Sequence, residues 1–110
     1  MANAYRKEKI IMERPIGKYV TYREEYLREN EPETYAKLIE SGEINAHLDE
    51  INRKAHEMKE STIEKLKAES TEWQDISSAE GEFDFLKKAR LLNSFEQQAD
   101  EIVLAEIVYR

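Results

Sequence analysis

The sequence predicts an all-α fold, and three observations predict it. Only three Gly and two Pro stand among 110 residues, too few turn formers for the many reversals of an all-β chain. Apolar side chains recur at intervals of three and four over long stretches, the signature of one-sided helices. Charged residues make up 37% and the AVILMFWYC set 40%, rich in charge yet apolar enough for one modest core. The expected architecture is a long antiparallel helical hairpin, about residues 43–76 and 84–108. Two short helices, about 17–29 and 32–40, pack at one end of it.

Residues 1–13 show no clean period and read as an N-terminal arm, with Ile10, Ile11 and Met12 as a short strand or an apolar peg. Residues 14–110 form the single helical domain. Pro15 keeps Arg14 out of helical backbone and marks the boundary. The first helix runs from about Gly17 to Glu29, with Ile16, Tyr19, Tyr26 and Leu27 on one face and Tyr22 at its edge. Arg23 points into that face. Asn30-Glu31-Pro32-Glu33 restarts the chain: Asn30 can cap, Pro32 suits a first turn, and Glu33 can close a capping box. The second helix, about Pro32 to Glu40, sets Tyr35, Leu38 and Ile39 on one side, and Gly42 supplies the left-handed position that ends it.

The third helix starts near Glu43 and carries the strongest pattern. Ile44, Leu48, Ile51, Ala55, Met58 and Thr62 follow one another at 4,3,4,3,4, and Leu66, Trp73 and Ile76 continue close to the same stripe. So narrow a seam is typical of a coiled coil or a long hairpin. Unbroken to Ile76 it would span about 50 Å, long for a chain of this size, so two courses stay open past Glu69: a continuous helix, or a break near Ser70-Thr71. Residues 77–82 read as a turn. The last helix, about Asp84 to Val108, has Phe85, Ala89, Leu92, Phe95, Ala99, Ile102, Val103 and Ile107 as its apolar face, with Asn93-Ser94 as a point of interruption.

Composition excludes much chemistry. Cys is absent, which removes disulfides, thiolate nucleophiles and Cys-based zinc sites. The two His residues, His47 and His56, lie nine positions apart on one helix and face opposite ways, so they cannot share a metal. His47 borders the apolar stripe with Glu43 and Glu50 in reach, but the Glu-x-x-His pairs of di-iron bundles are absent. No metal, cofactor or catalytic residue is expected, and the chain reads as no enzyme. There is no membrane-length apolar run and no signal-peptide pattern, so the expectation is a cytoplasmic protein without membrane contact. The formal charge is −7: residues 1–30 carry +2 and residues 31–110 carry −9. An acidic body repels phosphate backbones, so strong duplex binding is not expected.

Four segments carry a family likeness: Arg14–Gly17 (RPIG), Tyr26–Glu29 (YLRE), Leu38–Leu48 (LIESGEINAHL) and Ala99–Tyr109 (ADEIVLAEIVY). These resemble the TnpV family of small transposon-encoded proteins of bacterial mobile elements. The likeness covers Arg14 to Arg110, is weakest between Glu69 and Phe95, and leaves out the arm. It implies a bacterial mobile-element setting and a small accessory role. Its motifs are not catalytic signatures.

The function expected first is therefore a non-catalytic accessory or regulatory protein that acts through protein–protein contacts. The alternative is an acidic inhibitor of a host defence nuclease, of anti-restriction or anti-CRISPR type, that occupies a nucleic-acid groove. A DNA-binding regulator comes third: Lys18 to Tyr35 has a helix–turn–helix outline, but its second helix offers only Lys37 against Glu33 and Glu40, a poor base reader. Lys18, Tyr22, Arg28 and Trp73 are the candidate partner-binding residues, the partner being a protein, for instance a nucleic-acid-handling enzyme. Trp73 has a plainer role open to it, as the cap of the hairpin core. The narrow seam also favours a homodimer. Arg23 and Glu106 are charges on opposing apolar faces and are paired as a structural ion pair.

Overall fold

The structure, a computed structural model, describes residues 15–77 and 82–110. The arm, its apolar peg and most of the 77–82 turn lie outside the described residues. The described residues form five α-helices and a closing π-turn, with no strand among them: α1 (Lys18–Asn30), α2 (Pro32–Ser41), α3 (Ile44–Glu69), α4 (Thr71–Ser77), α5 (Glu82–Val103), then the π-turn Leu104–Val108.

Gly17 opens α1 at φ 145°, a backbone region open to glycine and closed to most L side chains. The helix buries Tyr19, Val20, Arg23 and Leu27. The expected face is thus rotated. Ile16 precedes the helix, so its wheel position does not apply, and it is 85% exposed while Val20 is buried instead. Asn30 does not cap α2. Its Nδ2 donates to the Tyr26 carbonyl at 3.2 Å, finishing α1, and no side chain caps α2, whose N-cap position is Glu31. Pro32 takes the first turn of α2, and Gly42 ends it at φ 76°. The Gly42 N–H donates to the Ile39 carbonyl at 3.1 Å and the Glu43 N–H to the Leu38 carbonyl at 2.9 Å, the paired closure of a Schellman motif.

The 26-residue α3 is continuous through the expected seam and about 39 Å long. Leu48, Ile51 and Ala55 are buried, and Ile44, Met58, Thr62 and Leu66 are half-buried. It breaks at Ser70, whose backbone is extended at φ −92°, ψ 110°. The Ser70 hydroxyl then accepts the Trp73 N–H at 3.0 Å, so the same residue that stops α3 caps α4.

The last helix passes Asn93-Ser94 without interruption. Phe95, Ala99 and Val103 are buried, whereas Phe85 and Ile102 from the expected face are exposed at 71% and 42%. From Phe95 to Val108 the partners of α5 move back along the chain, from Trp73 through Lys59 to Ala55, as in an antiparallel pair. Helix α1 lies against the N-terminal half of α3 and the π-turn. Tyr19, Ala55, Val103 and Val108 form the buried centre, with Met58, Leu104 and Ile107 packed around it.

Candidate interaction surface

Two polar clusters fix the three main elements together. At the first, Asp100 on α5 accepts from Lys18 Nζ at 2.5 Å and from the Tyr19 hydroxyl, with Lys59 Nζ at 3.4 Å. Burial pushes the Asp100 carboxyl up. The hydrogen bonds from Lys18 and Tyr19 and the two ammonium charges outweigh it and hold the group below its usual value. Burial, then the bond to Asp100, pushes the Tyr19 phenol well up.

The second cluster is a clamp around Arg23. Its Nε–H donates to His47 Nε2 at 3.2 Å, its Nη1 donates to the Val108 carbonyl at 3.0 Å, and the guanidinium lies 5.5 Å from the Tyr26 ring centroid. As an acceptor at Nε2, His47 must be neutral with its proton on Nδ1. Burial and then the Arg23 charge hold its pKa below the usual histidine value.

The expected Arg23–Glu106 pair does not form. Glu106 is exposed and pairs with Arg110 at 3.0 Å. The reason is the π-turn. In an α-helix position 106 shares the side of Val103, but one extra residue per turn brings Val108 to that side. Val103 and Val108 are accordingly both fully buried, and Glu106 swings outward.

The four partner-binding candidates do not converge. Lys18 is spent on Asp100. Trp73 is half-buried, edge-on to Phe95 at 5.9 Å and under Lys67 at 5.0 Å, the placement of a core cap. Lys67 lies twenty residues along α3 from His47, the partner of Arg23, about 30 Å away. Tyr22 is exposed on α1 beside Tyr109, centroids 6.5 Å apart, and Tyr109 also meets Tyr26 at 5.9 Å. Arg28 is exposed further along α1.

The surface that stands out lies where α2 meets the start of α3. Tyr35, Leu38 and Ile39 share one side of α2, yet no residue of α2 is buried. Ile39 is 50% exposed. Beside it is a shallow depression lined by Leu38, Glu43, Ala46, His47 and Glu50. The last four recur at i, i+3, i+4 and i+7, one stripe that starts at the N-cap residue Glu43 and runs up α3. The stretch of chain that leads into and builds this corner is acidic, a concentration that the charges of residues 1–30 and 31–110 taken as halves conceal: residues 24–50 hold nine Asp and Glu against two Lys and Arg, a net of −7. Among the described residues no group of three or more His, Cys, Asp or Glu could hold a metal ion, and no helix is long and apolar enough to cross a membrane.

The model of the transposon-encoded protein TnpV matches residues 6–108. The chain belongs to the TnpV family. The TnpV match takes in residues 6–13, so the family segment reaches into the stretch that the sequence likeness left out as an arm. The chain matches no curated protein and no solved structure.

Proposed function

We propose that this TnpV-family chain is a non-catalytic accessory or regulatory protein of a bacterial mobile element and that it works through protein–protein contacts. Membership of a transposon-encoded family supplies the setting. The observation that carries the contact reading is α2, amphipathic in sequence yet with no buried residue. A helix in a 110-residue chain that keeps its apolar side half open forgoes core area that so small a domain can use. A face of that kind suits a partner.

A second reading, an acidic inhibitor seated in the nucleic-acid groove of a host defence nuclease, is favoured by one observation: the stretch that leads into and builds this corner, residues 24–50, carries a net charge of −7. Both readings place the partner's surface, rather than a small substrate, against this chain. The test is affinity capture from a host that carries the element, with and without nuclease. A transposase or recombinase retained after nuclease treatment supports the first reading, and a restriction enzyme or guide-RNA effector supports the second. Capture lost on nuclease treatment, together with salt-resistant gel shifts of duplex DNA by the pure protein, overturns both in favour of a DNA-binding regulator.

A further inference from the structure

We infer that the corner between α2 and α3 docks a basic amphipathic helix of a protein partner, an inference that rests on the protein-contact reading and names the chemistry of the contact. Three features fit one another here. Leu38, Ile39 and Tyr35 offer an apolar strip at i, i+3 and i+4 spacing, none of it fully covered. Leu38 and Ala46 give the adjoining depression an apolar floor, and Glu43 and Glu50 stand at its two ends. Glu50 stands seven positions after the N-cap residue Glu43, about 10.5 Å along the axis, and a helix laid alongside presents its own i and i+7 side chains at the same interval. Basic side chains at that spacing would meet Glu43 and Glu50 while the apolar residues between them cover Leu38 and Ile39. Long basic side chains also lay their alkyl stems on apolar floor and keep the charge at the rim.

Charge selects this occupant over the others. The nine carboxylates against two cations in residues 24–50 repel a phosphate backbone and an anionic bilayer surface alike. A second copy docked symmetrically would set the same acidic corner against itself. His47, on the wall of the depression, is neutral while it accepts from Arg23, whose guanidinium sets one positive charge behind that wall but is itself buried and bound to the Val108 carbonyl. The ion pair of Glu50 with Lys54 at 3.1 Å is exposed on both sides, and such pairs are readily exchanged for another cation.

The experiment uses the full chain and two synthetic peptides. One is a helix of a few turns built of Leu, Ala, Lys and Arg, with basic residues at i and i+7. The other has the same apolar residues with Glu in place of every basic one. Amide shift mapping and calorimetry are run at low and at physiological salt. The basic peptide should shift Leu38, Ile39, Ala46 and His47 and leave Trp73 and Phe95 unmoved, with affinity falling as salt rises. Glu43→Lys with Glu50→Lys should weaken it by roughly tenfold or more, since close charge pairs across an interface couple strongly. Ile39→Ser should weaken it at every salt concentration. All three positions are exposed, and an unchanged melting curve confirms that the variants fold. Shifts confined to another surface, equal affinity for the double variant, or equal binding of the acidic peptide would overturn the inference. Capture of the same nuclease-resistant host protein by wild type and by the double variant overturns this surface and leaves the contact reading standing. Capture lost on nuclease treatment, together with salt-resistant gel shifts of duplex DNA by the pure protein, overturns the reading itself.

Discussion

Removing Arg23 tests the clamp that joins α1, α3 and the C-terminal turn. Arg23→Ala deletes the bonds to His47 at 3.2 Å and to the Val108 carbonyl at 3.0 Å and the approach to Tyr26. Hydrogen bonds from a charged donor contribute about 1.5–3 kcal/mol each, with the longer bond to a neutral ring at the low end. The stacked guanidinium adds about 0.5–1 kcal/mol. The Val108 carbonyl, in a residue with no exposed surface, is left without that donor. The expected loss is about 3–5 kcal/mol, a large share of the roughly 5–15 kcal/mol that a domain has. A chain of 110 residues unfolds with an entropy of about 0.23 kcal/mol/K near its midpoint, so Tm should fall by roughly 13–22 °C. The assay is thermal and urea unfolding followed by far-UV circular dichroism, with Arg28→Ala, on the exposed side of α1, as the control that should move Tm by no more than about 2 °C. Arg23→Lys should fall between, since one ammonium cannot serve both acceptors. Equal, small shifts for Arg23→Ala and Arg28→Ala would refute the clamp.

Three further outcomes follow from the geometry. Because the folded state holds His47 below its usual pKa, the unfolded chain takes up that proton first on acidification; the stability from neutral His47 is whole above about pH 6.5 and drains as pH falls through the lowered folded value. Urea midpoints should therefore drop between about pH 7 and about pH 5.5 in the wild type and drop less in His47→Gln, and parallel profiles would count against it. Gly42→Ala meets nothing within 4 Å of its new Cβ, so its whole cost is the left-handed φ of 76°, about 1–2 kcal/mol in urea unfolding, with Gly42→Asn costing less. Ser70→Ala removes the cap on the Trp73 N–H; a loss of about 1 kcal/mol should come with red-shifted Trp73 emission as its packing on Phe95 loosens, and unchanged emission would show that α4 holds without the cap.

The parts of the fold legible in the sequence were those governed by period and by backbone. The seam from Ile44 to Leu66 gave the continuous α3 and Gly42 gave its own left-handed turn, while the length of an unbroken helix marked Ser70-Thr71 as the place for a break without deciding that one occurs. What period cannot carry was missed. The 3.6-residue wheel has no π-turn in it, so Glu106 was set on the Val103 side and given to Arg23. His47 borders the apolar stripe in sequence, and that position was the available hint that it could face Arg23. Asp100 had no signal at all, because Lys18, Tyr19 and Lys59 reach it from distant points of the chain. The acidic corner was visible as composition, but only the half-open α2 distinguishes it from any solvated face.

The clamp on Arg23 has an unusual tolerance built into it. Its C-terminal acceptor is a main-chain oxygen, which every amino acid supplies, so side-chain replacement at position 108 costs packing but leaves the bond its oxygen. That oxygen is aimed by the wider turn over Leu104–Val108, closed by the Tyr109 N–H on the Leu104 carbonyl at 2.9 Å. Deleting one residue there would restore ordinary helical winding and carry the oxygen away from Arg23. The last turn of this chain is therefore forgiving of spelling and strict about length: a single-residue deletion between 103 and 108 should do more harm than any single substitution in the same span.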